Sequence, residues 1–362
     1  MRRKLGLALE NVTDFAWLRP GMRVAVKVNL VSGAHPDRAV TTHPAVACAL
    51  CAILKERGAD VVVGDSPGGV YNAAWVERVY AQCGMYEAEK YGAELNRDFS
   101  EKHVSDKNGE KCREFDCTAY LEEADAVISL CKLKTHGMMK LTAGVKNMFG
   151  AIPGAKKPEY HFRFPRHEDF ADALVDICGH FRPVLTICDA VEAMEGNGPT
   201  AGTPRHVGYL AAAVNPHAMD ECLARLIGLE PDSVPTLAAA KRRGLIPDKL
   251  SVLGRPEPLR DFVLPADGGL LFEGHGGIWG RLRSTVMSRV LQTRPELEKG
   301  KCVGCGKCAE ICPAKAIAMG GGRPSIDRKK CIRCFCCQEF CPVGALYVGR
   351  TLPARLVNRE VR

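Results

Sequence analysis

Apolar and polar positions along the chain switch repeatedly between a period of two and a period of about three and a half. Residues 23–31 (Arg-Val-Ala-Val-Lys-Val-Asn-Leu-Val) alternate and are β-branched, which predicts a strand. His43-Pro44 then opens a helix through about Arg57, with proline in the first turn where its missing N–H costs nothing. Gly58 ends that helix. Asp60 to Gly64 reads as a short buried strand, followed by the loop Asp65-Ser-Pro-Gly-Gly69 and a second helix over roughly Tyr71 to Gln82. Further on, Asp125 to Leu130 and Val184 to Cys188 are strand material, and Thr142 to Met148 and Glu168 to Cys178 are helical. Gly208 to Val214 is another strand and Pro216 to Ile227 another helix. Such alternation predicts an α/β fold, a mostly parallel sheet flanked by helices, with ligands at the carboxyl ends of the strands.

The pattern breaks where the chain turns glycine-rich, from Gly268 to Gly280. Ile278 to about Arg294 then predicts an amphipathic helix stopped by Pro295, with Ile278, Leu282, Val286 and Val290 near one stripe. Packing between two domains suits it better than lying on a membrane. The expected organisation is an α/β domain over 1–275, a linker helix over 276–298, a small α+β domain over 299–350 and a basic tail over 351–362. The longest apolar run, Pro44 to Leu54, is too short to cross a bilayer. The basic start Met-Arg-Arg-Lys has no signal-peptide core behind it, because Leu5 to Leu9 is broken by Gly6 and runs at once into Glu10, Asn11 and Asp14. A cytoplasmic chain without a transmembrane segment is expected.

Eighteen cysteines change the picture, since an ordinary cytosolic enzyme has no use for so many. Nine lie scattered between Cys48 and Cys222, and nine crowd between Cys302 and Cys341. Cys302, Cys305, Cys308 and Cys312 are spaced C-x2-C-x2-C-x3-C with Pro313 next, and Cys331, Cys334, Cys337 and Cys341 repeat this 29 residues later with Pro342 next. Four thiolates are what a 4Fe–4S cube requires, one per iron, and in this spacing the fourth cysteine reaches the other cluster. Cys302, Cys305, Cys308 and Cys341 are therefore assigned to cluster I, and Cys331, Cys334, Cys337 and Cys312 to cluster II. Structural zinc needs neither the third close cysteine nor the trailing proline. The segment from about Lys299 to Val348 resembles bacterial two-cluster ferredoxins. Cys336, wedged between ligands, reads as a small packed side chain. Cys48 and Cys51 fall inside a helix and read as packing.

Charge follows the same division. Residues 281–362 hold 17 Lys and Arg against 6 Asp and Glu, while residues 1–280 hold 33 against 36. The excess reads first as offsetting the clusters' negative charge and solvating the surface; the sharper reading is a docking face for an acidic electron carrier.

In the large domain, Lys132-Leu-Lys-Thr-His136 follows an apolar strand and precedes Thr142-Ala-Gly-Val-Lys-Asn147 and Phe149-Gly150. Three lysines with hydroxyl, amide and imidazole groups are costly to bury without a partner, and a carboxylate or phosphate would satisfy them. A solvated loop is the other reading. Lys27 and Asn29 share one face of the first strand. Thr41-Thr-His-Pro44 precedes a helix whose free N–H groups could hold an anion. Gly64-Asp-Ser-Pro-Gly-Gly69 lets backbone approach a ligand, yet matches no nucleotide-binding fingerprint. Asp189, Glu192 and Glu195 leave a strand beside a flexible turn, as acids, bases, metal ligands or capping residues. His161, Arg163, Arg166 and His167, near Phe162 and Phe164, read as a solvated loop before a lid.

These segments together resemble the family catalogued as domain of unknown function 362, many of whose members carry a C-terminal ferredoxin module. The matching residues are the Lys-Val-Asn strand, Thr-Thr-His-Pro, Gly-Asp-Ser-Pro, Lys-Leu-Lys-Thr-His, Val-Lys-Asn-Met-Phe-Gly and Glu-Gly-Asn-Gly-Pro, over roughly residues 20–260. The resemblance implies an α/β fold and a shared site without a settled substrate. At fold level such domains are similar to nickel-dependent lactate racemases, with no residue-by-residue match to that site here.

The expected activity is iron–sulfur electron transfer. Foremost, an oxidoreductase would pass electrons through two 4Fe–4S clusters to an anionic substrate or cofactor. His136 would donate protons beside Lys134, and Lys27, Asn29, Thr42, His43, Asp65, Ser66, Lys132, Thr135, Lys146 and Asn147 would bind the ligand. The alternatives are a non-enzymatic carrier subunit docking a larger redox complex, and a binding protein whose clusters sense redox state. Expected partners are a ferredoxin- or flavodoxin-type electron donor or acceptor and a small anionic ligand, with no nucleic acid.

Overall fold

Residues of the first strand alternate between two covered faces, Val24 and Val26 toward one and Ala25 toward the other, and the sheet grows from that strand in both directions. The structure, a computed structural model, describes residues 1–254, 256–265 and 293–350. Its first half runs α1 (Arg2–Glu10), β1 (Arg23–Lys27), α2 (Pro44–Lys55), β2 (Asp60–Gly64), α3 (Ala73–Cys83), β3 (Glu94–Leu95), β4 (Glu101–Ser105), β5 (Glu114–Thr118) and α4 (Ala119–Glu122). There follow β6 (Ala126–His136), β7 (Lys140–Thr142), α5 (Gly144–Asn147), α6 (Lys157–Arg163), α7 (His167–Phe181), β8 (Leu185–Glu195), β9 (Thr203–Ala213), α8 (Pro216–Leu226) and α9 (Pro235–Arg242).

The main sheet has the order β3-β2-β1-β6-β8-β9. Strands β1, β2, β3, β6 and β8 are parallel, β9 returns antiparallel along β8, and β7 folds back on β6. The fold is thus α/β with a mainly parallel sheet flanked by helices. Val24, Val26, Val61, Val63, Ile128 and Leu130 pack on one face against α1, α2 and α3. Ala25, Val62 and Val127 face the opposite side, under Phe170, Leu174 and Ile177 of α7. Because the chain winds from β1 outward to β2 and later crosses to β6, the carboxyl ends of β1 and β6 diverge at a topological switch point, where open α/β sheets form their crevice.

Element ends differ from expectation for identifiable reasons. Strand β1 stops at Lys27 rather than Val31 because the next amides leave the ladder. Asn29 N–H donates to Thr42 Oγ1 and Leu30 N–H to Asp65 Oδ2. Strand β6 runs on through His136, since the β7 hairpin pairs Lys134 with Thr142 and His136 with Lys140. Lys132 to His136 is therefore buried strand, not a solvated loop. The basic stretch around His161 is likewise helical, in α6. Helix α1 and the β4–β5 hairpin had no strong sequence signal; α1 buries only Leu5 and Leu9.

The cysteine-rich module repeats its backbone as well as its sequence. Strand β10 (Thr293–Leu297) pairs with β13 (Leu346–Arg350), and β11 (Ile317–Gly320) with β12 (Arg323–Ile326). Helices Lys307–Glu310 and Cys336–Glu339 stand 29 residues apart. Left-handed positions Gly304, Gly306 and Lys315 recur at the same offset as Arg333, Phe335 and Gly344. Thr293 to Leu297, the described end of the expected linker helix, is a strand because it pairs with β13; the rest of that segment and the tail from 351 lie outside the described residues. Among the described residues, no helix is long and apolar enough to cross a membrane.

Candidate functional site

Polar side chains converge where β1 and β6 part. Lys27, the last residue of β1, ion-pairs with Asp65 just beyond β2 at 2.9 Å and donates to Asn147 Oδ1 at 2.8 Å. Asn147 in turn donates to Lys27 O and Ser129 Oγ, both 3.0 Å. Gly150 passes so close that any Cβ there would strike Asp65 and Lys27, so only glycine fits. Burial pushes the Lys27 ammonium below its ordinary range, and Asp65 pulls it back.

This network floors a cavity of about 70 Å³. One water needs roughly 10–15 Å³ on this measure, so a small acid group fits. Lys146 lines it without any hydrogen bond or ion pair to the described residues; its ammonium stands 6.0 Å from the Phe149 ring centre. Lys157, also on the wall, donates to Ser66 O at 2.5 Å and Ile152 O at 2.7 Å, and burial brings its ammonium down to about 7. Ser66 Oγ and His161 Nδ1 are buried on the same wall with no partner among the described residues. His161 stacks on Phe170 at 4.2 Å, and burial lowers its imidazole to about 3. Unmet donors facing a positive wall are what a bound oxyanion would satisfy.

The opposite wall belongs to the cysteine-rich module. Cys336, Glu339 and Phe340 line the cavity, and Phe340 packs over Gly68, where a side chain would collide with its ring. Glu339 Oε1 meets His136 Nε2 at 2.9 Å across the junction. His136 Nδ1 accepts from Met138 N–H at 3.0 Å and Met139 N–H at 3.1 Å, so the proton sits on Nε2 and the ring is neutral. Burial holds this imidazole down at about 4. Burial would raise Glu339, but His136, Lys146 and His161 outweigh it and hold the carboxyl at about 2. Gln338 Nε2 adds bonds to Asn197 and Gly198.

Of the residues singled out from sequence, Lys27, Asn29, Asp65, Ser66, Lys146 and Asn147 line the cavity. The structure places the others behind it. Lys134 is wholly enclosed, donates to Asn29 Oδ1 and Val40 O, both 2.7 Å, and burial drives it far below its ordinary range. Lys132 pairs with Asp189 at 2.9 Å, both buried, and Asp189 also accepts His43 N–H. Thr42 Oγ1 donates to Leu130 O, Thr135 Oγ1 to Gly196 O, and His43 caps α2 by accepting Ala45 N–H. The start of α2 therefore has its amides engaged. Glu192 pairs with His206, and Glu195 accepts Val263 N–H. Lys157, Cys336, Glu339 and Phe340 were missed; the one trace of the last three in sequence is that repeat two reads Cys336, Glu339, Phe340 where repeat one reads Lys307, Glu310, Ile311.

The eight cluster cysteines suit two cubes. Cys302, Cys305, Cys308 and Cys341 line one cavity. Burial raises the Cys331 thiol, which lies near Cys334 and Cys312, and burial raises Cys308 beside Cys305 and Cys341. Ala316 N–H donates to Cys312 Sγ and Ala345 N–H to Cys341 Sγ, both 3.2 Å, the amide-to-sulfur bonds that steady thiolates.

Residues 24–225 match a domain of unknown function (DUF362), and residues 294–342 match a 4Fe-4S dicluster domain. The thylakoid-associated protein sll1697 of Synechocystis sp. is 33% identical over 271 residues, 70% of this chain and 81% of that protein. Among solved structures, the lactate racemase apoprotein from Thermoanaerobacterium thermosaccharolyticum gives a TM-score of 0.38 at 9% identity, over 59% of this chain and 51% of that one. A Thermotoga maritima protein gives 0.37 at 12%, over 68% and 58%. The chain thus spans about half of the first solved structure and less than two thirds of the second.

Proposed function

This chain belongs to the family of the domain of unknown function (DUF362), with a 4Fe-4S dicluster domain behind it, and on that footing we propose that it is an oxidoreductase that delivers electrons to a small anionic substrate or cofactor in the junction cavity. The observation that carries this reading is the cavity's composition: Lys146, unpaired among the described residues, on one wall, and on the other Cys336, Glu339 and Phe340, which flank the cluster ligand Cys337. The clusters supply one-electron transfer. The chain's own residues do the rest. Lys146 and Lys157 offer positive charge, Ser66 Oγ and His161 Nδ1 offer hydrogen bonds, and Phe149 and Phe340 exclude water.

The test uses anaerobically prepared full-length protein titrated with a panel of small carboxylates and inorganic oxyanions, read by calorimetry and by reoxidation of the reduced clusters. A charged hydrogen bond is worth about 2 kcal/mol, so Lys146→Met is expected to weaken the best binder about 30-fold with iron content unchanged. Full affinity in that variant, or a panel in which nothing binds while a larger redox complex copurifies, would replace this reading with that of a carrier subunit.

Lys157 adds a pH signature. Its ammonium loses its proton near 7 in the free protein, so the charged, anion-binding form prevails below that value. Affinity for an anion is expected to decline as pH rises from about 6 to about 8, and Lys157→Met should flatten the profile. A profile equally steep in the variant would assign the titration elsewhere.

A further inference from the structure

A second face of the cysteine-rich module differs from the one that meets the cavity. There the chain around Cys302, Cys305, Cys308 and Cys341 is lined by Val303, Met319 and Val343, which are 66%, 38% and 41% exposed. Lys307 lines the same space, and Arg323, next to Pro324 on its rim, sits at the β11–β12 turn opposite Gly320; both side chains are exposed. Across residues 293–350, 11 Lys and Arg stand against 5 Asp and Glu. Two of those acids are turned inward, Glu339 to His136 and Glu296 to Tyr347. A third, Glu298, is tied to Lys301. The outer surface is thus an apolar spot over cluster I flanked by Lys307 and Arg323, with Glu310 at the far end of the Lys307 helix.

We propose that this face docks an acidic one-electron carrier protein of ferredoxin or flavodoxin type, so that electrons arrive at the cluster I end, on a surface that shares no residue with the cavity. This rests on the electron-transfer reading above and adds the partner and the direction. The argument is charge complementarity around a small apolar contact, which steers encounter and fixes orientation. The apolar spot is what a bare charge patch lacks: it supplies a dry contact where the cluster ligand Cys305 reaches the surface. One electron leaves the reduced carrier, which becomes oxidised, and enters the module; no bond forms or breaks and no proton has to move.

The experiment measures binding of oxidised flavodoxin to anaerobic full-length protein at low and at near-molar salt. In parallel, cluster bleaching is followed in stopped flow, with reduced flavodoxin or a photoreduced deazaflavin as donor. Wild type should lose about tenfold or more in affinity and rate with salt. Lys307→Glu and Arg323→Glu should each lose about five- to twentyfold at low salt and flatten the salt dependence, with deazaflavin reduction and iron content unchanged. Unchanged flavodoxin binding in both variants overturns the proposal. So does salt-sensitive binding to anionic phosphatidylserine vesicles that these variants abolish while flavodoxin rates stay the same, an outcome that would assign the face to a membrane surface. Clusters that neither donor reduces would sink the electron-transfer reading itself, a failure distinct from loss of docking.

Discussion

Asp189→Ala is expected to destabilise the α/β domain by about 3–5 kcal/mol, because it strands the Lys132 ammonium in the core. For a domain of this size that is a fall of roughly 6–20 °C in the unfolding midpoint. The pair is fully buried at 2.9 Å, and the same carboxylate accepts His43 N–H at 2.9 Å and Val191 N–H at 3.2 Å. One side chain thus ties the middle of β6, the start of α2 and the bulge in β8 together. Replacing both partners with apolar residues, as Lys132→Met with Asp189→Leu, should recover part of the loss, since no charge is then left unpaired. Thermal and urea unfolding of the three variants decides it. A single-variant loss under about 1 kcal/mol would show that the pair does not hold these strand ends.

Cys337→Ala is expected to cost one whole cluster, lowering iron from about eight to about four per chain. The more discriminating variant is Cys341→Ala. It belongs to the second repeat, yet it lines the cavity of Cys302, Cys305 and Cys308, so it should empty the first cluster and spare the second. Iron and sulfide analysis with low-temperature paramagnetic resonance of the reduced proteins separates the two. If Cys337 and Cys341 variants lost the same signal, the crossed ligation would be wrong. Cys337→Ala should also loosen the junction, because the helix Cys336–Glu339 carries both that ligand and the Glu339–His136 contact.

The cavity explains why lysines in one short stretch have different fates. Lys132 and Lys134 lie on β6 and both end up enclosed, one in an ion pair and one bonded to an amide and a carbonyl oxygen. Lys146, on α5 behind the β6–β7 hairpin, lines the cavity wall with its ammonium unbonded to any described residue. Sequence shows that three lysines near an apolar strand need partners. It does not show which partners the fold provides, because that depends on the β6–β8 register and on a bulge between Lys132 and Lys134.

The sequence by itself determined the features that local periodicity and fixed spacing encode. Strand β2 at Asp60–Gly64, helix α2 capped at His43, the α/β class and the 29-residue duplication of cluster cysteines all follow from residues near one another in the chain. Lys27, Asn29, Asp65, Ser66, Lys146 and Asn147 stood out in sequence as polar groups at strand ends in an otherwise apolar pattern, and they line the cavity. Only the tertiary structure decided that the second cluster repeat, not the first, closes the cavity. That choice is made by contacts such as Glu339 with His136 and Phe340 with Gly68, between residues more than 200 positions apart. Burial and partnership at such separations arise from how the two domains pack, and no window of sequence contains both sides of the contact.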